Sequence, residues 1–113
     1  MADSCLFCRI VAGEIPAKKV AETDRYVAFR DINPQAPVHV LVIPREHVAS
    51  LAEAKDPDLV GGMALLAAEI ARGEGIESRG YRAVINTNAE AGQTVFHIHL
   101  HLLGGRHLGW PPG

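Results

Sequence analysis

The sequence has no long apolar run. No stretch approaches the roughly 18 to 20 uninterrupted apolar residues that a spanning helix needs, and the start, Met1-Ala2-Asp3-Ser4, lacks the basic flank and apolar stretch of a signal peptide. No membrane association is expected, and the cytoplasm is the expected compartment. There is no excess charge of one sign either: 11 basic residues against 13 acidic ones give a formal charge of -2. No global field would draw in a polyanion, so nucleic acid is not an expected partner. Cysteine is scarce, with Cys5 and Cys8 the only two, and no disulfide framework supports the fold. A C-x-x-C pair in a cytosolic chain points instead to metal or redox chemistry. Aromatic residues make up 5% of the chain and include a single tryptophan, Trp110. With 113 residues, 48% of them hydrophobic, the chain has material for one small domain over 1–113 with a modest core. Histidine, by contrast, is plentiful: three of the six fall within five residues.

The spacing of Leu6, Phe7, Ile10 and Val11 predicts a short helix over Ser4 to Ala12, capped by Ser4 and stopped at Gly13. Val20 to Glu22, the turn Thr23-Asp24 and Arg25 to Arg30 read as a β-hairpin. The Pro34-Gln35-Ala36-Pro37 stretch breaks that pattern and leads into a β-branched strand from Val38 to Ile43, ended by Pro44. Asp56-Pro57-Asp58 opens a long helix with an acidic cap and a proline at its first position. Leu59, Met63, Leu66 and Ile70 give it one apolar stripe to about Arg72, with Gly73 as the expected C-terminal cap. Gly61-Gly62 inside it costs about 1 kcal/mol per glycine against alanine, which suggests close backbone packing or a weak first turn. Tyr81 to Thr87 reads as a strand, Asn88 to Gln93 as a loop, and Thr94 to Leu103 as the last strand. Together these elements predict an α+β class: an antiparallel sheet of about five strands, covered on one face by the long helix, with a short N-terminal helix besides.

The run Phe96-His97-Ile98-His99-Leu100-His101-Leu102 alternates imidazole with aliphatic residues. On a strand, His97, His99 and His101 share one face while Ile98, Leu100 and Leu102 enter the core. A lone histidine is usually just a satisfied polar group, but three in register cost solvation unless each finds a partner. Two chemistries compete for them. One is a metal site, in which zinc takes nitrogens at about 2.0 to 2.1 Å. Residues i and i+4 of a strand lie roughly 13 Å apart, however, so one ion cannot easily take all three. The other is catalysis: a middle imidazole as nucleophile, with neighbours that fix its tautomer and bind an anion. Thr94 and the backbone of Gly92-Gln93, just before the run, offer hydroxyl and N–H donors of the kind a phosphate takes.

The run resembles the signature of the histidine triad superfamily. The likeness extends to Asp31-Ile32-Asn33-Pro34-Gln35-Ala36-Pro37-Val38-His39, Val42-Ile43-Pro44, Asn86, Gly92-Gln93-Thr94-Val95, and Leu103-Gly104-Gly105-Arg106 through Trp110-Pro111-Pro112-Gly113. It covers nearly the whole chain and marks the Hint branch, the histidine triad nucleotide-binding proteins. The resemblance implies a dimer of HIT-like domains that hydrolyses adenosine or guanosine 5'-phosphoramidates to the monophosphate (AMP or GMP) and an amine. It implies His99 as the nucleophile that forms a nucleotidyl-imidazole, with His97 and His101 flanking it and His39 in support. The covalent route has its own logic, since it divides one hard step into two, provided a second group protonates the departing amine.

The same resemblance puts Asn86 and Thr94 at the phosphate and Asp31 at the ribose hydroxyls, and Gly92, Gln93 and Val95 are expected with them among the substrate-binding residues. By itself, an aspartate before Asn-Pro reads as turn chemistry. Phe7, Ile10, Phe29 and Ile32 resemble the residues that sandwich the purine, although an apolar residue on an amphipathic face needs no ligand to explain it. Thr94 stands where serine is common in the branch, which keeps the hydroxyl and stiffens χ1. Cys5, Cys8, His47 and His97 match the structural zinc ligands of related proteins with this C-x-x-C, and no cofactor is expected for catalysis itself. His107 matches no functional position and is expected in solvent. The tail 104–113 is too rich in glycine and proline for helix or strand. Its Trp110 is expected to dock near the leaving-group side of a dimer-related active site, because an exposed indole presents a large apolar surface. Two other functions compete with the phosphoramidase: a nucleotide sensor or adaptor, and a dinucleoside polyphosphate hydrolase of the same superfamily. A small zinc protein whose histidines are ligands is a third.

Overall fold

The computed structural model describes residues 4–113. A short helix α1 (Leu6–Val11) precedes strands β1 (Lys19–Glu22), β2 (Tyr26–Arg30) and β3 (Val38–Pro44). The long helix α2 (Pro57–Gly73) follows, and then β4 (Tyr81–Val84) and β5 (Leu100–Gly104). The five strands form one antiparallel sheet in the order β1-β2-β3-β5-β4. This is the α+β architecture that the hydrophobic patterning predicts.

The central strands β2 and β3 are buried on both faces of the sheet, and the two faces have different owners. Val40 and Val42 of β3, Tyr26 and Ala28 of β2, and Ile98, Leu100 and Leu102 pack against Leu59, Met63, Leu66 and Ile70 of α2. The predicted stripe is therefore the buried face of α2. Residues one step out of phase, Val27, Phe29, Leu41 and Ile43, pack on the other side with Phe7 and Ile10 of α1. The period-two alternation of each strand thus divides its residues between a closed aliphatic core and the layer that carries the histidines.

Boundaries differ from expectation in three places: α1, α2, and the last two strands. The cap of α1 is Cys5, not Ser4: its Sγ accepts the Cys8 N–H at 3.3 Å. At the end of α2, Gly73 stays helical and Glu74 takes the cap position. The left-handed residue that stops the chain is Gly75, at φ 76°. The third difference bears on the site. The last strand begins at Leu100 rather than Thr94, and β4 ends at Val84 rather than Thr87. Two residues before the Leu100↔Val42 pair, β5 would have to extend its ladder along Pro44, which has no N–H to give. The Pro44 carbonyl instead takes the His97 ring, and the Ile98 N–H goes to Val48 O at 2.7 Å. Of the three histidines only His101 sits in the ladder.

The glycine pair in α2 separates into two cases. A Cβ on Gly62 would collide with the Tyr26 hydroxyl, which donates to Leu59 O at 2.7 Å, whereas Gly61 faces open space. Close packing therefore explains Gly62 alone. Among the described residues no helix is long and apolar enough to cross a membrane.

Candidate active site

Although His97 and His99 precede the ladder and His97 lies in a bend, the side chains keep the alternation. Ile98, Leu100 and Leu102 are buried in the α2 core, and the three imidazoles lie on the opposite face, His97 and His99 beside Phe7. His39 joins them from β3, with its ring 5.2 Å from that of His101. His99 and His101 lie 5.0 Å apart, centroid to centroid.

The hydrogen bonds fix where each proton sits, because a carbonyl only accepts and a backbone N–H only donates. His97 Nε2 lies 2.7 Å from Pro44 O, so Nε2–H donates and the Nδ1 lone pair faces the cysteines. His99 has the opposite tautomer: Nδ1–H donates to His97 O at 2.8 Å, which leaves Nε2 with its lone pair free. The Gln35 N–H donates to His39 Nδ1 at 3.0 Å, so His39 carries its proton on Nε2. That N–H points at His101 Nδ1, 2.9 Å away, and Asp31 Oδ2 lies 3.4 Å from His39 Nε2. His101 Nδ1 is then an acceptor, and a neutral His101 bears its proton on Nε2. The site thus holds a lone pair on His99 and an N–H on His101.

Burial keeps these rings neutral. It lowers the basicity of His39, His97 and His99 below the ordinary histidine range, and it is the largest cause in each case. His101 is pushed down to about 4, first by burial and then by its neighbours His99 and His39. At neutral pH the His99 lone pair is therefore not taken by a proton.

His99 and His101 face a cavity of about 430 Å³ walled by Phe7, Ile10, Phe29, Leu41 and Val95, with Asp31 and Thr94 also in its lining. Phe7 meets Phe29 edge-on at 5.6 Å and His99 at 5.1 Å, so the wall and the imidazole are in direct contact. Phe7, Ile10 and Phe29 are core residues and cavity lining at once. Ile32 is not core: it is 101% exposed, at the rim where the cavity adjoins a groove of about 650 Å³ along Pro34, Pro37 and His39. Asp31 does perform the expected turn chemistry, since Oδ1 accepts the Asn33 N–H at 2.8 Å, while Oδ2 remains on the His39 side.

Other expected groups are placed differently. The N–H groups of Gly92 and Gln93, expected as phosphate donors, are already given to Ala89 O and Asn88 O within their loop. The Gln93 side chain is a buried brace that accepts from Asn88 N and donates to Ala49 O and Val95 O. Asn86, half-buried beyond β4, is not among the residues lining the cavity. Trp110 does not dock within its own chain and is 83% exposed. His107 is exposed, as expected. Sequence reasoning missed Leu41, which the alternation from His39 could have found, as well as the Gln35 amide and the Pro44 carbonyl, for which residue type gives no signal.

At the His97 end a second constellation forms. Cys5 Sγ and Cys8 Sγ lie 3.4 and 3.5 Å from His97 Nδ1, and Cys8 Sγ lies 3.2 Å from His47 Nδ1. All four donor atoms fall within 4.8 Å of one another. Zinc bonds of about 2.3 Å to sulfur and 2.0 to 2.1 Å to nitrogen define a tetrahedron whose S···N edge is about 3.5 Å. The observed edges fit it, and Pro44 O already fixes the tautomer that turns His97 Nδ1 towards the sulfurs. Burial, and then the adjacent Cys5, push the Cys8 thiol up to about 11, so a metal would have to displace its proton.

The HIT domain model matches residues 12–108. An uncharacterised HIT-like protein of Synechococcus elongatus is 51% identical over 115 residues and covers both chains completely. A purine nucleoside phosphoramidase of Escherichia coli K12 is 47% identical over 111 residues, 96% of this chain and 93% of the relative. Among solved structures, a HIT family hydrolase from Legionella pneumophila superposes with a TM-score of 0.94 at 51% identity, over 97% of this chain and all of the other. With a lone-pair imidazole, a donor imidazole and an apolar cavity on one fold, and with likeness along the whole chain, the protein belongs to the HIT domain family.

Proposed function

We propose that the chain is a hydrolase of the Hint branch, a purine nucleoside phosphoramidase with His99 as its nucleophile. The observation that carries this reading is the pair of opposite tautomers in the cavity wall: a free lone pair on His99 Nε2 and an N–H on His101 Nε2. The 47% identical phosphoramidase is consistent with it.

In this reading the purine enters the slot of Phe7, Ile10 and Phe29, with Ile32 closing over its edge, and the ribose hydroxyls meet Asp31. Thr94 supplies a neutral donor to the phosphoryl oxygens, and the resemblance adds Asn86. The His99 Nε2 lone pair forms a bond to phosphorus, and the P–N bond to the amine breaks, its electron pair leaving with the nitrogen. That nitrogen takes the proton from His101 Nε2, and the imidazolate left on His101 is held by the His39 Nε2–H that it accepts. Nucleotidylated His99, with Nδ1–H still held, is cationic and offsets the proton its neighbour has given up. Water then attacks phosphorus, the pair of the P–N(His99) bond returns to Nε2, and the water proton restores His101. Monophosphate and amine are the products, and no cofactor takes part.

Zinc in the Cys5, Cys8, His47 and His97 set would be structural. It would tie α1, which contributes Phe7 to the purine slot, to the histidine segment. The exposed Trp110 and the Hint-like tail support a homodimer in which the tail reaches the partner's leaving-group side. The deciding experiment incubates the protein with adenosine 5'-phosphoramidate beside a diadenosine polyphosphate and measures the amine and AMP released. Amine release with the dinucleotide intact is expected. Cleavage of the dinucleotide alone would move the chain to the polyphosphate hydrolases, and binding of AMP without turnover of either substrate would make it a sensor.

A further inference from the structure

The proton on His101 Nε2 depends on a chain of contacts that leaves the cavity. His101 Nδ1 is an acceptor only because His39 Nε2–H points at it, and His39 carries that proton only because the Gln35 N–H occupies Nδ1. If that amide withdrew, His39 could take the other tautomer and accept at Nε2. His101 would then donate from Nδ1, and its cavity nitrogen would bear a lone pair, useless to a departing amine.

What keeps the Gln35 amide in place is visible from both sides. The Gln35 side-chain Nε2 donates to Asn33 O at 3.0 Å, and the Asn33 N–H is held by Asp31 Oδ1. On the other side Arg106 Nε donates to Gln35 O at 3.0 Å. Arg106 reaches this carbonyl from the first residues after β5. There Gly105, at φ 88°, lets the chain pass so close to Pro37 that a Cβ would stand 2.9 Å from the proline Cβ. Arg106 Nη1 also donates to His107 O at 2.9 Å, which limits the swing of the guanidinium.

We infer that Arg106 is a positioning residue for the reaction: through the backbone of Gln35, whose carbonyl it holds and whose N–H meets His39, it keeps His39 in the tautomer that puts a proton on the cavity nitrogen of His101. The inference rests on the phosphoramidase reading. It assigns to the start of the C-terminal tail a role within its own chain, separate from any docking of Trp110.

The test uses two leaving groups in the full-length protein. An alkylamine phosphoramidate of adenosine needs a proton to leave, whereas the p-nitrophenyl ester of AMP expels a stable phenolate that needs none. Arg106→Met keeps the stem and removes the donor. Arg106→Gln carries an amide nitrogen at the same number of bonds from the backbone as Nε. For Arg106→Met, kcat on the alkylamine substrate should fall by about tenfold while KM and the ester rate stay within about twofold, and Arg106→Gln should recover most of the loss. Two-bond ¹H–¹⁵N spectra of the AMP complex should find the His39 proton on Nε2 in wild type and in Arg106→Gln, and partly on Nδ1 in Arg106→Met. Equal losses on both substrates, or an unchanged His39 tautomer, would overturn the inference. If Arg106→Met does not fold, Arg106→Glu replaces it as the acceptor-only isostere of Arg106→Gln and must show the same selective loss. A wild-type protein that turns over neither substrate would sink the phosphoramidase reading, and the tautomer spectra would still decide the role of Arg106.

Discussion

His97 and His101 are the same residue four positions apart, on the same face, yet their surroundings give them opposite work. The ring of His97 is closed off at 0% exposure between the Pro44 carbonyl and two thiols, with its lone pair turned away from the cavity. His101 is half-buried beside His39 and presents its N–H to the cavity. Between them, His99 takes its tautomer from the backbone of one neighbour and faces the ring of the other. A histidine repeat therefore does not specify a repeated function. The partner that meets each ring first, an accepting carbonyl or a donating imidazole, decides which nitrogen is left to act.

The widest gap between the two ends should appear on removing the group between them. His99→Ala should lower phosphoramidate turnover by at least about a thousandfold and change AMP affinity by less than about tenfold, because the nucleophile contributes mainly to the reacting state. Steady-state amine release and a calorimetric AMP titration measure the two numbers, and retained turnover would move the nucleophile elsewhere. Next in size is the His97 end. Chelation, or Cys5→Ser in metal-replete protein, should lower the thermal midpoint by about 5 °C or more, since metal bridging distant segments acts as folding free energy. Metal analysis accompanies the melt: less than one zinc per chain, with no shift in midpoint, would remove zinc from that end.

The closed α2 face offers a control. Gly62→Ala should destabilise by about 2 kcal/mol through overpacking on the Tyr26 hydroxyl, whereas Gly61→Ala should stabilise by up to about 1 kcal/mol from helix propensity. Denaturant titration of both variants checks the sign. The most gradual effect is a pH slope. His101 titrates near 4 in the fold against 6.5 as the ordinary value, so the unfolded chain binds more protons between those limits. Its contribution is fully present above about pH 6.5 and is lost as pH falls towards 4, and the lowered His39, His97 and His99 act in the same direction. His101→Gln should flatten that part of the stability curve, as denaturant midpoints between pH 4 and 7 would report.

Much of this was legible from residue order. The apolar stripe of α2, the Asp56-Pro57 start, the β1–β2 hairpin and the segregation of Ile98, Leu100 and Leu102 from the histidines all follow from local periodicity, which a chain imposes on itself whatever its partners. The early end of the ladder at Leu100 was not legible. It depends on Pro44 standing opposite, a fact of register between strands more than fifty residues apart. The Gly92-Gln93 amides were misread for the same reason: a loop that closes its own hydrogen bonds has none to spare, and nothing in Gly-Gln-Thr announces the closure.

The sequence by itself determined the α+β class, the face on which the three histidines lie, the chance of a Cys2His2 set and the resemblance to one family, because period, residue type and motif are properties of the chain. Only the tertiary structure decided which nitrogen of each imidazole carries the proton, that His97 turns to the thiols and His101 to the cavity, and that Gln35 and Arg106 stand behind His39. Those outcomes depend on carbonyls and amides brought together from β3, the turn before it and the tail. A backbone carbonyl is the same in every residue, so its role is set by position alone.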